Sequence, residues 1–245
     1  MIRMLELSPL DHGRFGFPVA KGIVREQITG HAVAESARNL GARLAIVRVP
    51  ANFLESVHSL EAGGALLCDT LVYFRREIDL PPASQIAIGY LYSAATPNDA
   101  DESESLARIA FSGYFNHYHA DPRIDSAVRD EIYPSWARRI CLDTNAASHV
   151  LIVRSAIGEL IAFLAIKSHP QGRLEIVLNG VSPKHRGKGL YGFLIDEAQR
   201  WGQRQCGSEL SISTQITNIG VQRIWCRAGF EPFEYFYTFH IWLDD

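Results

Sequence analysis

The sequence predicts an α/β fold, and three observations carry that prediction. Strand-like apolar runs alternate with helical stretches through the first hundred residues, a βαβαβ rhythm. A hairpin and a strand of period two open the second half, and helices follow them. Hydrophobic residues make up 47% of the 245 positions, enough for a sizeable core in one large domain or two small ones.

The elements follow in order. Residues 16–24 read as a strand, 31–40 as a helix, 42–49 as a strand, 51–60 as a helix and 65–74 as an apolar strand. Residues 86–92 are a further strand candidate. The acidic run NDADESES, residues 98–105, reads as a loop or helix start and as the linker between two halves. Helix continues over 104–114. Residues 126–142 form one helix, with Val128, Ile132, Trp136 and Ile140 recurring every fourth position. In HVLIVRSAIGELIAFLAIKS two apolar runs flank a turn at residues 155–159, a hairpin pattern. RLEIVLNGVSP is a period-two strand, followed by a basic turn and a helix over about 189–205. A strand at 209–215, a helix at 218–227 and an aromatic-rich strand at 231–243 close the chain.

Composition narrows the function. A formal net charge of −3 argues against a general nucleic-acid binder, which carries a basic excess. The four cysteines form no CxxC pair and no zinc spacing, so they read as reduced apolar thiols and no metal is expected. The N-terminal stretch lacks the long apolar run of a signal peptide, and no segment approaches a membrane span. A cytoplasmic protein is expected, with no membrane partner.

The turn VSPKHRGKGLY joins a strand to a helix. A helix start has unpaired backbone N–H groups and a positive dipole end, and glycines let that backbone approach an anion closely. Such a junction is a phosphate cradle. Here the amides of residues 186–191 would build it, with charge from Lys184, Arg186 and Lys188. Taken alone, the turn equally suits a solvated basic reversal of the chain.

K184-H185-R186-G187-K188-G189 resembles the Gln/Arg-x-x-Gly-x-Gly/Ala signature of the GCN5-related N-acetyltransferases (GNAT), with Lys184 where Gln or Arg is usual. A second segment, from Asn218 through Val221 and Trp225 to Gly229 and Phe230, is similar to the family's Asn-x-x-Ala-x-x-x-Tyr-x-x-x-Gly-Phe. The resemblance covers about residues 150–243. It implies a GNAT fold, a mixed and mostly antiparallel central sheet flanked by helices, with an N-terminal α/β extension. It also implies acetyl-CoA, or another acyl-CoA, as co-substrate and direct attack by an amine in a ternary complex. Val181, Arg186, Gly187, Lys188, Gly189, Leu190, Tyr191, Asn218 and Trp225 are then the expected coenzyme A contacts. The oxyanion donor falls on the backbone of Asn179 or Val181. Glu175 matches in place the glutamate base of the histone-acetylating branch, and strand alternation puts Glu175, Val177, Asn179 and Val181 on one face. Trp225 stands at the family's acidic Tyr position, and its indole is no usable acid. Tyr191, Tyr237 and His240 are the candidate replacements.

The acceptor side is expected in FSGYFNHYHADPRID, residues 111–125. His117, His119 and Asp121 alternate and, if extended, point one way, which suits a metal site, an acceptor-binding loop or a polar turn before Pro122. The acceptor loop, with Tyr114, is the reading adopted. The Phe-Gly-Phe near the start, the DPR turn, the Tyr133/Trp136 helix and the closing YTFHIW resemble nucleotide-amino-sugar N-acyltransferases such as TDP-fucosamine acetyltransferase. That resemblance implies acylation of a dTDP-linked amino-deoxy sugar, with Phe15, Phe17, Tyr114 and Tyr118 suited to stacking on sugar or base. The expected organisation is an N-terminal α/β domain at 1–97, a linker and acceptor segment at 98–125, and a catalytic domain at 126–245. A small-molecule amine is the expected partner, with a homodimer left open. The rivals are another small amine as acceptor and a silent acyl-CoA-binding module.

Overall fold

The computed structural model describes residues 5–79, 86 and 88–243. Its elements run β1 (Glu6–Leu7), α1 (Pro9–Phe15), β2 (Val19–Ile23), α2 (Gly30–Asn39), β3 (Leu44–Pro50), α3 (Leu54–Ala62), β4 (Leu66–Glu77) and β5 (Tyr90–Ala94). They continue with α4 (Ala100–Ala110), α5 (His117–Ala120), α6 (Ser126–Asp130), α7 (Ile132–Leu142), β6 (His149–Ser155), β7 (Leu160–Ser168) and β8 (Arg173–Val181). The last are α8 (Leu190–Arg204), β9 (Glu209–Gln215), α9 (Ile219–Arg227) and β10 (Glu231–Trp242). Among the described residues all ten strands form one sheet, ordered β1-β2-β3-β10-β4-β9-β8-β7-β6-β5. Only β2–β3 and β8–β9 pair in parallel; the other neighbours are antiparallel.

Several boundaries differ from the sequence reading for local reasons. Ser8-Pro9 opens a helix at 9–15 that periodicity does not show: Ser8 caps it by accepting from the Asp11 amide at 3.3 Å, and Gly16 ends it at φ 74°. The acidic run at 98–105 takes the helix-start alternative, with a 3-10 turn ending at Asp99 leading into α4. The strand expected from 86 begins at Tyr90, and residue 87 lies outside the described residues. The helix expected over 126–142 breaks at Glu131. Pro134 explains the break, because its ring crowds the carbonyl four residues earlier and it offers no N–H.

Of the four register shifts among the described strands, two reset side-chain phase beside the site. On β8, Leu178 faces Ala165 and Ile176 faces Ile166, so Val177 is the extra residue. On β4, Asp69 faces Thr238 and Leu67 faces Phe239, so Cys68 is extra. One sheet face is covered by α8 and α9 over a core containing Ile176, Leu194 and Trp225. The opposite face carries α4 and α7 over Phe163, Ala165 and Leu178. Toward β2 and β3 that second face continues as Val19, Leu44 and Ile46 under Tyr118, Ile124 and Ile132. Among the described residues no helix is long and apolar enough to cross a membrane, and the four cysteines are free.

Candidate active site

The basic turn forms the open end of α8. Gly187 and Gly189 have φ of 75° and 78°, a conformation that favours glycine, and a Cβ on either would enter open space. Gly189 is the N-cap with no side-chain cap bond, and Phe193 N is the first amide bonded back, to Gly189 O at 3.0 Å. The amides of residues 190–192 therefore have no helical acceptor. Arg186 does not reach into this space. Its guanidinium donates to the Ala110 carbonyl at 2.9 Å and ties the turn to the end of α4. Lys184 and Lys188 are exposed.

Beside the turn the sheet opens. β8 and β9 pair only from Arg173/Glu209 to Ile176/Ile212. Beyond that, β8 stays bonded to β7 and β9 to β4, so their facing edges part at Val177 and Ser213. Unpaired backbone polar groups inside a fold need a partner. An extended ligand carrying amides would supply one.

The bulge corrects the expected alternation. Glu175 lies opposite Lys167, and Val177 packs with Leu178 over the α4–α7 core, whereas Val181 packs on the α8 core. Leu178 and Gly180 both face Phe163, which turns Asn179 to the α8 side with Val181. Glu175 and Asn179 thus point to opposite faces. Glu175 accepts from or shares a proton with His169 Nε2 at 2.9 Å, at the far end of β8.

Trp225 is 1% exposed and packs edge-on against Phe74. Its Nε1–H donates to the Tyr191 hydroxyl at 2.7 Å. Burial pushes the Tyr191 phenol up, so it keeps its proton. Asn218 Nδ2 donates to Thr214 Oγ1 at 3.1 Å, Thr214 meets the Tyr114 hydroxyl at 3.2 Å, and Tyr114 donates to Gln215 Oε1. Gln215 Nε2 in turn reaches Asp69 Oδ2 at 3.4 Å. Tyr114 and Asn218 therefore meet at the mouth of the opening.

The expected extended alternation of His117, His119 and Asp121 is not found. Asn116 caps a helical turn, accepting from the Tyr118 amide at 2.9 Å and the His119 amide at 3.3 Å. The turn points His119 away, toward Asn116 Oδ1 at 2.9 Å and Asp130 at 3.4 Å. Asp121 is extended at ψ 109°, as Pro122 requires. His117 and Asp121 converge instead on His240, which sequence spacing alone does not reveal. His240 Nδ1 is 2.6 Å from Asp121 Oδ2, and His240 Nε2 is 2.9 Å from His117 Nδ1. Trp242 Nε1 also donates to Asp121 Oδ2, at 2.9 Å. Burial pushes the Asp121 carboxyl up, but the bonds from His240, the Arg123 amide and Trp242 outweigh it and hold it below the ordinary range. Burial, then the neighbouring His240, drive His117 well below the usual imidazole value.

Cys68 joins this cluster, its donor atom and those of Asp121 and His240 lying within 4.8 Å of one another. Burial, then Asp121 and Asp69, push its thiol up to about 12. Tyr237 does not join it. It packs with Phe239 and Ile241 on the opposite sheet face, against the α2–α3 core. Tyr118 is buried in the β2–β3 core, and Phe15 and Phe17 pack half-buried against it.

Comparison with known proteins adds an independent line. Residues 108–230 match the model of the acetyltransferase (GNAT) family. The chain is 24% identical over 203 residues to the spore coat polysaccharide biosynthesis protein SpsD of Bacillus subtilis (strain 168), a match covering 80% of this chain. It spans 65% of that relative, less than two thirds of its length. Among solved structures, a GCN5-related N-acetyltransferase from Sphaerobacter thermophilus superposes with a TM-score of 0.67 at 15% identity, covering 98% of this chain and 76% of that one. A tandem GNAT protein from the clavulanic acid biosynthesis pathway gives 0.65 at 15% identity, covering 94% and 77%.

Proposed function

Because this chain belongs to the acetyltransferase (GNAT) family, we propose that it moves a short acyl group from acyl-CoA to the primary amine of an amino sugar, as a nucleotide-linked precursor of polysaccharide. The observation that carries the reading is the pairing of an uncapped, glycine-built helix start with the parting of β8 from β9. The first suits a diphosphate and the second an amide-bearing arm leading to a thioester. The acceptor reading rests on the likeness to a polysaccharide-biosynthesis protein and on the aromatic and polar lining of the segment that runs over the opening.

In this reading the acyl carbonyl lies along β8, where a backbone N–H near Asn179 faces the developing oxyanion. Tyr191 takes the place of the family tyrosine. Trp225 N–H donates to its oxygen, which leaves the phenolic proton free to pass to the leaving thiolate. The indole at 225 therefore does not silence the reaction; it orients the acid.

The test is thermal unfolding with coenzyme A, followed by coenzyme A release from acetyl-CoA with free and dTDP-linked amino sugars. Coenzyme A should raise the Tm by mass action, and Gly189→Asp should abolish that shift through strain and charge repulsion. A wild-type protein that coenzyme A does not stabilise would overturn the reading.

A further inference from the structure

We propose that His117 Nε2 is the general base that accepts the acceptor amine's proton, and that His240 and Asp121 are positioning residues that keep this nitrogen bare. The proposal rests on the acyltransfer reading above, but its geometry stands apart from the coenzyme A cradle. Asp121 accepts two hydrogen bonds at one oxygen, from Trp242 and from His240 Nδ1. His240 Nδ1 must then carry hydrogen, and its Nε2 is left as an acceptor. The partner of that Nε2 is His117 Nδ1 at 2.9 Å, which must donate. A neutral His117 with hydrogen on Nδ1 has its lone pair on Nε2.

The surroundings favour that neutral form. His117 is 7% exposed, and the basic side chains that face it are His240 on β10, Lys21 on β2, Arg48 on β3 and His119 on its own turn. Asp121 acts on it through His240, while Cys68 and Asp69 stand beneath on β4. Buried polar atoms without a hydrogen bond flank the cluster, Asp69 Oδ1 and Thr238 Oγ1, and Asn116 turns its amide toward Tyr133. Asn116 and Thr238 are 1% and 0% exposed. Asp69 and Thr238 face each other across β4 and β10, and Asn116 precedes His117. A carboxylate oxygen and a hydroxyl fit an ammonium group flanked by sugar hydroxyls.

The cluster is linked through side chains to the opening between β8 and β9, and the acceptor amine would bridge the two. Gln215 at the mouth of the opening bonds Asp69, and β9 to β10 is two strand spacings, roughly 10 Å. Glu175 lacks this placement, since it is bonded to His169 and lies four residues, roughly 13 Å, from Asn179 along β8. In the step, the amine nitrogen bonds the acyl carbon and the carbon–sulfur bond breaks. The amine proton passes to His117 Nε2, and the thiolate leaves with the Tyr191 proton.

Two measurements test the assignment. ¹⁵N NMR of histidine-labelled protein should show His117 protonated at Nδ1 and bare at Nε2 between pH 6 and 8, and D121N should disturb that tautomer. Hydrogen on Nε2 would overturn the proposal, as would one equivalent of zinc held by Cys68, Asp121 and His240 in elemental analysis. With acetyl-CoA and either D-glucosamine or a dTDP-linked 4-amino-4,6-dideoxyhexose, H117Q should lower kcat about 100-fold or more at pH 7. Its loss should shrink toward pH 9, where the amine deprotonates unaided, and its stabilisation by coenzyme A should be unchanged. A wild-type rate and pH profile in H117Q would refute the base while leaving the acyltransferase reading intact. Loss of coenzyme A stabilisation in the wild type would refute the latter instead.

Discussion

At the scale of single residues, the pair Tyr191–Trp225 shows how a site keeps a proton donor when its usual side chain is gone. Y191F removes one oxygen and leaves the ring packing, so kcat should fall by about tenfold or more while coenzyme A affinity holds; stopped-flow release of the thiol reads both. His117 gives a second residue-scale prediction. Its folded-state affinity for a proton is depressed, so below about pH 6.5 the unfolded chain takes up a proton that the folded one refuses. Stability from this group is whole above that pH and is lost as pH falls, so Tm should drop from pH 6.5 toward 5, and H117Q should flatten the slope. The carboxylates Asp11 and Asp121 are also depressed, and they add their loss only below about pH 4. Residue types were legible in the sequence here, but partners were not. Trp225 could be seen as a departure, yet its bond to Tyr191 depends on how α9 lies against α8.

At the scale of elements, strands and long helices followed the hydrophobic period, because burial of one face writes itself into spacing. What spacing hides is an inserted residue. The bulges at Cys68 and Val177 each shift phase by one, which is why Glu175 and Asn179 part company and why Cys68 turns toward His240. A capped four-residue turn such as α5 is equally silent in periodicity, though the Asn116 cap is a signal that a search for side-chain caps would find. Gly180 makes an element-scale prediction. A Cβ there would sit 2.9 Å from the Phe163 ring, which is fully buried and cannot yield. Gly180→Ala should cost about 1–3 kcal/mol in urea unfolding.

At the scale of the whole molecule, β10, the last strand, sits between β3 and β4, both from the first third of the chain. Phe239, 0% exposed, anchors it. F239A should cost about 3–5 kcal/mol, and wild-type unfolding followed by tryptophan fluorescence and by far-ultraviolet dichroism should trace one coincident transition. The sequence showed two halves because its motifs cluster in the second, and no local pattern announces a pairing across about 160 residues of separation. That late arrival leaves a gap in the growing sheet: two bare edges, β3 and β4, wait for the same ribbon. Any ribbon of the right register fills it, including one lent by a neighbour. Refolding at high concentration should therefore yield exchanged pairs in which each molecule completes the other, and dilution before the denaturant is removed should suppress them.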